Sequence, residues 1–357
     1  MSLLSKLFGK ADVSKKTGKE KEKTINEAQM PVQIRWNNER TVPNFKGDYA
    51  QVGFLVTYAK ASEIKPNNKY KDFIVYELGI NQPALFHKKM IDEGFLQQAN
   101  IEEELNTLKI DELKQILDEI GQPKTGNKST LIARAMESTS AENLVMHLPK
   151  KTYYVISQKG KEYLNAHSEI VDLFQNRDRY NVTYEEYIAA RAANPRASYH
   201  DLIWGEFQRK RMECFKRGNL DTNGEINMYN LLLDEKRYTD ALFHAIKFFY
   251  SEVNAAQKTY DFIKFYQKKA GEKEQVANVD FMPKVFLSPF GLKMIEELKD
   301  YYQDSIIDSV WVDSEIHYCS KQEFVNMVHE VLEGRLDYST TEKELSAKVP
   351  DILSNYI

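Results

Sequence analysis

Two cysteines, Cys214 and Cys319, lie far apart in the 357 residues, which excludes a disulfide scaffold and a zinc site built from cysteines alone. No apolar run approaches the ~18 residues needed to span a bilayer. The opening MSLLSKLFGK is too short and too interrupted for a secretory leader. Glycine (15) and proline (10) are scarce, which argues against a turn-rich all-β protein and for helices. Excess positive charge is also missing: net charge is −4 and the isoelectric point about 6.1. No global field therefore draws the molecule to nucleic acid, and any such binding must come from a local patch. What is present is 42% hydrophobic and 12% aromatic residues, enough for a sizeable core in two or three domains. The expected class is a soluble, cytoplasmic, mainly α protein with small β elements.

Residues 1–28 read as a disordered basic tail, with Lys6, Lys10, Lys15, Lys16, Lys19, Lys21 and Lys23 among Ser, Thr, Gly and Glu. Its first turns (Leu3, Leu4, Leu7, Phe8) leave open one amphipathic turn on a membrane or partner. From Met30 to Phe54 short apolar pieces with Pro31 and Pro43 point to extended or irregular chain. Asn81-Gln82-Pro83 marks a helix start, with Asn81 as N-cap, and Gly94 marks its end. Tyr153 to Ser157 reads as a strand, and Gln158 to Ala166 as a short helix. Helix, "DEGFL", connection, strand and helix is the order of a winged-helix module. An ordinary α+β core is the alternative. Residues 29–104 and 139–168 would be the two halves of this winged-helix-like region.

Residues 169–270 read as a helical domain. Within it, 228–250 resembles a single tetratricopeptide-type hairpin with a turn near Glu235 to Tyr238. A C-terminal helical region, 271–357, contains helices expected over Leu292–Tyr302 and Lys321–Glu333.

The most informative stretch is 105–138. Leu108, Ile110, Leu113, Ile116, Leu117 and Ile120 form the stripe of one helix, which Gly121 ends. Pro123 stiffens an extended link, and Gly126-Asn127-Lys128 opens a second helix carrying Leu131 and Ile132, with Arg134 on its other side. This pattern resembles the SAP motif, a helix–extension–helix unit, and departs from it at Gln122, where the family usually has an apolar residue. The resemblance implies nucleic-acid binding at the link and second-helix start, and carries over Lys114, Lys124, Gly126, Lys128 and Arg134 as the binding residues. A helix start also offers unpaired N–H groups to a phosphate. The unit is neutral overall: Lys109, Lys114, Lys124, Lys128 and Arg134 are balanced by Asp111, Glu112, Asp118, Glu119 and Glu137. Modest, salt-dependent affinity is expected. The wider order of pieces resembles uncharacterised SAP-domain proteins of Gram-positive bacteria and their prophages.

Other constellations carry less. Gly121 to Ser129 looks like a phosphate-binding P-loop, but its lysine falls one residue late and a helix, not a strand, precedes it. Asn219, Asp221, Asn223 and Gly224 occupy calcium-loop positions, yet Asn230 stands where the bidentate Glu belongs, so a capped turn is expected. The histidines show no metal-ligand spacing, and His87 is expected at the surface or half-buried. The basic run Arg209-Lys210-Arg211 with Lys216 and Arg217 could extend a phosphate-binding face, but Glu206 and Glu213 interleave with it and a solvated helix face is the favoured reading. No cofactor, metal or catalytic residue is expected. The leading expectation is a non-enzymatic nucleic-acid-binding protein, with DNA preferred over RNA. The others are a protein-interaction or phage-assembly adaptor acting through 228–250, and an enzyme with scattered catalytic groups.

Overall fold

The computed structural model describes residues 43–217, 221–270, 283–313 and 315–354; the basic tail expected at 1–28 lies outside them. The chain divides into two units after Phe174.

The first unit begins with α1 (Gly47–Thr57), where extended chain was expected. Tyr49, Ala50, Val52, Phe54 and Leu55 are all buried, so this helix is apolar nearly all round. Such a segment has no amphipathic period to read, and burial overrides the weak helix propensity of its Val, Phe and Tyr residues. Next come α2 (Asp72–Tyr76) and α3 (Pro83–Asp92). Pro83 sits in the first turn as expected, but the N-cap is Gln82 rather than Asn81. Instead, the Asn67 side chain reaches across from the preceding loop to accept the Ala84 N–H at 2.9 Å. His87 is fully buried, contrary to expectation. Its ring is packed by Phe54, Tyr58 and Tyr70, its Nδ1 lies 3.0 Å from the Tyr70 hydroxyl, and burial followed by the charge of Lys65 pushes its pKa down to about 4.

Strand β1 (Leu96–Gln98) follows α3, and four helices then intervene: α4 (Ile101–Leu105), α5 (Ile110–Glu119), α6 (Lys128–Ser138) and α7 (Ala141–His147). The chain returns as β2 (Tyr154–Ile156) and α8 (Gln158–Ala166). The strands pair antiparallel, with Leu96 opposite Ile156 and Gln98 opposite Tyr154. The other edge of β2 is met by Ser62, which exchanges both backbone hydrogen bonds with Tyr154 at 2.9 and 2.8 Å. An entire helical insert thus occupies the place of a hairpin turn. Its ends are drawn together because the strands that flank it are neighbours.

The division between the units falls inside α9 (Ser168–Tyr180). The second unit continues through α10 (Tyr184–Ala193), α11 (Tyr199–Lys216), α12 (Thr222–Asp234), α13 (Tyr238–Val253) and α14 (Ala256–Ala270). It then has α15 (Pro289–Glu296), α16 (Ser305–Val310), α17 (Lys321–Leu332) and α18 (Tyr338–Leu353). The hairpin expected near 228–250 is α12 and α13, joined at Glu235–Arg237, where Lys236 takes a φ of 61°. It is no exposed platform: Ala241, Leu242, Ala245, Ile246, Phe249 and Val253 make α13 the middle of one core that runs on through Ile295, Phe324, Val328 and Val349. The helix expected from Leu292 to Tyr302 starts earlier, at Pro289 behind the Ser288 cap, and ends at Glu296. Helix α18 falls within the helical region expected at 271–357 but was given no bounds, because its polar start (STTEKE) and internal Pro350 mask the buried Leu345, Val349 and Leu353. No helix among the described residues is long and apolar enough to cross a membrane.

Candidate nucleic-acid interface

The insert has its own small core. Leu105 and Leu108, then Leu113, Ile116 and Leu117 of α5, Leu131, Ile132 and Ala135 of α6, and Leu144 and Leu148 are all buried together. The two flanking helices, α4 and α7, therefore extend the helix–extension–helix that the sequence showed. Asn100 and Glu103 close a capping box at the start of α4. His147 at the end of α7 meets Glu119 of α5 at 2.5 Å.

The periodic Leu113, Ile116 and Leu117 give α5 its buried face, and its other faces carry exposed Asp111, Glu112, Asp118 and Glu119. Gly121 ends it in the left-handed region (φ 70°), and the Gln122 N–H returns to the Leu117 carbonyl at 2.7 Å. Gln122, the departure from the SAP pattern, is half-buried here.

The extended link is held from beneath. Arg134 of α6 donates from Nη1 to the carbonyls of Pro123 at 2.5 Å and Thr125 at 2.9 Å. Gly126 takes a φ of 128°, and a Cβ there would meet the Thr130 side chain at 3.0 Å, so only glycine suits the approach to the helix. Asn127 is the N-cap: its Oδ1 accepts the Thr130 N–H at 2.9 Å and also the hydroxyls of Ser129 and Thr130. The amides of Lys128 and Ser129 remain unpaired among the described residues, at the exposed start of the helix. That is the geometry that receives an anion.

The five carried-over residues hold different positions. Lys124 is exposed and pairs with Asp118 at 2.7 Å, a surface contact that a phosphate can displace. Lys128 turns back to the Asn106 carbonyl at 2.7 Å, and partial burial lowers its pKa. Arg134 braces the link, and Gly126 shapes it. These four come together around one loop. Lys114 lies apart from them in role: half-buried on α5, it has no partner among the described residues.

The acceptors matter for the field. Arg134 is bound to neutral carbonyls of the link, whereas Asp118 offsets Lys124 and Lys128, turned to the Asn106 carbonyl, feels the charge of Glu112. Arg134 therefore holds a cation at the link bonded to no acidic side chain, although the segment is neutral in sum. Sequence reasoning missed the part of Ser129 and Thr130, whose hydroxyls converge on Asn127. The signal was present in the run Asn127-Lys128-Ser129-Thr130, a strong capping sequence.

Elsewhere the basic run on α11 is consumed by carboxylates. Arg209 meets Glu186, Glu206 and Glu213, and Lys210 meets Glu186. Asp221 caps α12 through the Gly224 N–H at 2.9 Å; Asn219 lies outside the described residues. Burial pushes the Cys319 thiol up to about 12, which leaves it inert as a nucleophile. No group of His, Cys, Asp or Glu among the described residues has the arrangement of a metal site.

No curated protein and no solved structure matches the chain, so the likeness of its outer segments to bacterial and prophage proteins has no relative behind it. One family does match, over residues 104–139: this helix–extension–helix is a SAP domain, a module that points to nucleic-acid binding in general.

Proposed function

We propose that this chain is a non-enzymatic nucleic-acid-binding protein whose SAP domain seats a backbone phosphate of duplex DNA at the start of α6. The observation that carries the reading is the pair of unpaired Lys128 and Ser129 amides. They lie at an exposed helix start beside Lys124, within residues that match the SAP domain. Phosphate contacts position a protein without reading bases, so sequence preference is weak. With few cations engaged, affinity is modest and falls steeply with salt.

The remainder of the first unit supports a winged-helix-like reading. Helices α1 to α3 precede an antiparallel pair, and the SAP domain stands where the pair would otherwise turn. In this reading α3 offers Leu85, Lys88 and Lys89, all exposed, as a second contact.

Fluorescence anisotropy of labelled duplex DNA, and of RNA of the same sequence, across a salt series tests the proposal. Ser129→Asp is the informative variant. An acid in the first turn favours the helix, so folding is retained while the phosphate is repelled. Wild type is expected to bind DNA with a log–log salt slope of about −2 to −4, and Lys124→Glu/Ser129→Asp to lose most of the binding. Salt-insensitive binding, or a double variant equal to wild type, overturns it.

A further inference from the structure

In the first unit, the chain between α1 and α2 gathers cations that the SAP insert does not supply. Lys60, Lys65, Lys69 and Lys71 lie here, and Glu63 is the one carboxylate among them. Glu63 is already taken, because Lys151 meets it at 3.1 Å. Asp72 is the next carboxylate along, exposed at the start of α2. None of the four lysines, nor Lys88 of α3, has an acidic partner among the described residues. Lys60, Lys69, Lys71 and Lys88 are exposed, and Lys65 is half-buried.

The backbone of this loop is fastened at several points. Ser62 pairs with Tyr154 of β2, and the Lys65 N–H is accepted by the Tyr70 hydroxyl at 3.2 Å. That hydroxyl stands 3.0 Å from His87 Nδ1, and the Asn67 side chain accepts the Ala84 N–H at 2.9 Å. Burial holds the His87 pKa down, and the charge of Lys65 adds to the effect. The loop is therefore laid against the first half of α3, where Lys88 follows Ala84 by one turn. Its anchors fix where each lysine begins and leave the exposed amines to water.

The insert has the opposite balance. Helix α4 adds Glu102, Glu103 and Glu104 to a SAP segment that is neutral in sum. A polyanion seated at the α6 start is repelled by that excess, so the attraction that offsets it must come from elsewhere in the unit. The pair of Lys151 with Glu63 ties the loop to the chain that returns from the insert into β2.

We propose that the loop Lys60–Lys71 is a further contact for the duplex, beyond the SAP domain and α3, and binds backbone phosphates through its lysine amines. The inference rests on the reading of this chain as a DNA-binding protein. Lysine meets a phosphate as a point charge on a flexible stem and reads no base, so the loop adds affinity without sequence preference. Exposed Ile64 and Leu85 lie on or beside the loop, a mixture that an anionic membrane also accepts. The SAP domain in the same unit favours nucleic acid.

Fluorescence anisotropy of labelled duplex DNA across a salt series, on the full chain with Lys60→Gln/Lys69→Gln/Lys71→Gln, tests this. All three side chains are exposed and unpaired, so the fold is retained. The log–log salt slope should shrink by about two and affinity at low salt should fall about tenfold, and arginine at the same three positions should restore both. Lys124→Glu/Ser129→Asp is measured beside it. A loop variant that binds like wild type while the SAP variant loses binding overturns this inference and leaves the SAP reading standing. Loss in the loop variant with binding kept in the SAP variant supports the loop and overturns the phosphate seat at α6. Wild type that binds no duplex overturns both. Co-sedimentation with vesicles of phosphatidylcholine and phosphatidylglycerol is the second arm. Vesicle binding that needs the three lysines, with DNA binding unchanged in the loop variant, assigns the surface to a membrane and overturns the proposal.

Discussion

The SAP domain and the second unit use cations in opposite ways. In the SAP domain Arg134 binds the Pro123 and Thr125 carbonyls, which fixes the link without an acidic partner, and Lys128 binds the Asn106 carbonyl with Glu112 acting on its charge. In the second unit Arg209, Lys210, Arg211 and Lys247 bind carboxylates, and the densest basic run of the folded chain is largely neutralised. The lesson is that the partner of a cation, more than its number in the sequence, decides whether a phosphate can feel it. A neutral segment can hold a positive loop, and a basic one can hold none.

The largest expected effect breaks the second half of this contrast. Glu225→Ala strands Arg211, Lys247 and His244 around an empty site, and should cost about 3–5 kcal/mol. Urea unfolding followed through Trp204 and Trp311, both in this unit, reads the loss. In the SAP domain Leu131→Ala removes a fully buried side chain from a small local core and should cost about 3 kcal/mol. Hydrogen exchange would show lost protection across α5 and α6. Arg134→Met sharpens the first half. Losing two carbonyl contacts should cost about 1–2 kcal/mol and weaken DNA binding through a loosened loop, and the lost charge should lower the salt slope. Lys124→Glu should reduce that slope by about one.

The smallest effect is one of pH. Glu252 accepts the Ser288 N–H at the start of α15, and burial, with Glu342 nearby, pushes its pKa up to about 7. Between roughly pH 4.5 and 7 the folded state holds a proton that the unfolded chain has released, so stability falls as pH rises through that window. The carboxyl keeps some access to water, which limits the change to about 1–2 kcal/mol. Glu252→Gln should flatten the slope in denaturant titrations run at successive pH values.

The same contrast explains what the sequence disclosed. The SAP domain was legible down to single residues because its contacts are local: Leu113, Ile116 and Leu117 meet Leu131 and Ile132 within one short segment, and Gly121, Gly126 and Asn127 punctuate it. Strand β2 was visible from Tyr154 and its β-branched neighbours, but β1, the three residues Leu96–Gln98, was not. The α1 helix was hidden because it is apolar on every side, and the burial of His87 depends on Phe54 and Tyr70, which reach it from other elements. Least legible was the ion-pair cluster at buried Glu225, to which α11 brings Arg211 and α13 brings His244 and Lys247 by tertiary packing. Arg134 shows the limit even where the pattern was clear. Its type and place were foreseen, but its bond to the Pro123 and Thr125 carbonyls required coordinates.

Hydrogen exchange of the intact protein, with and without duplex DNA at low salt, tests the central claim most directly. The account predicts new protection concentrated at residues 121–130, centred on the Lys128 and Ser129 amides and reversed by added salt. Protection confined to other parts of the chain, with 121–130 unchanged, would contradict it.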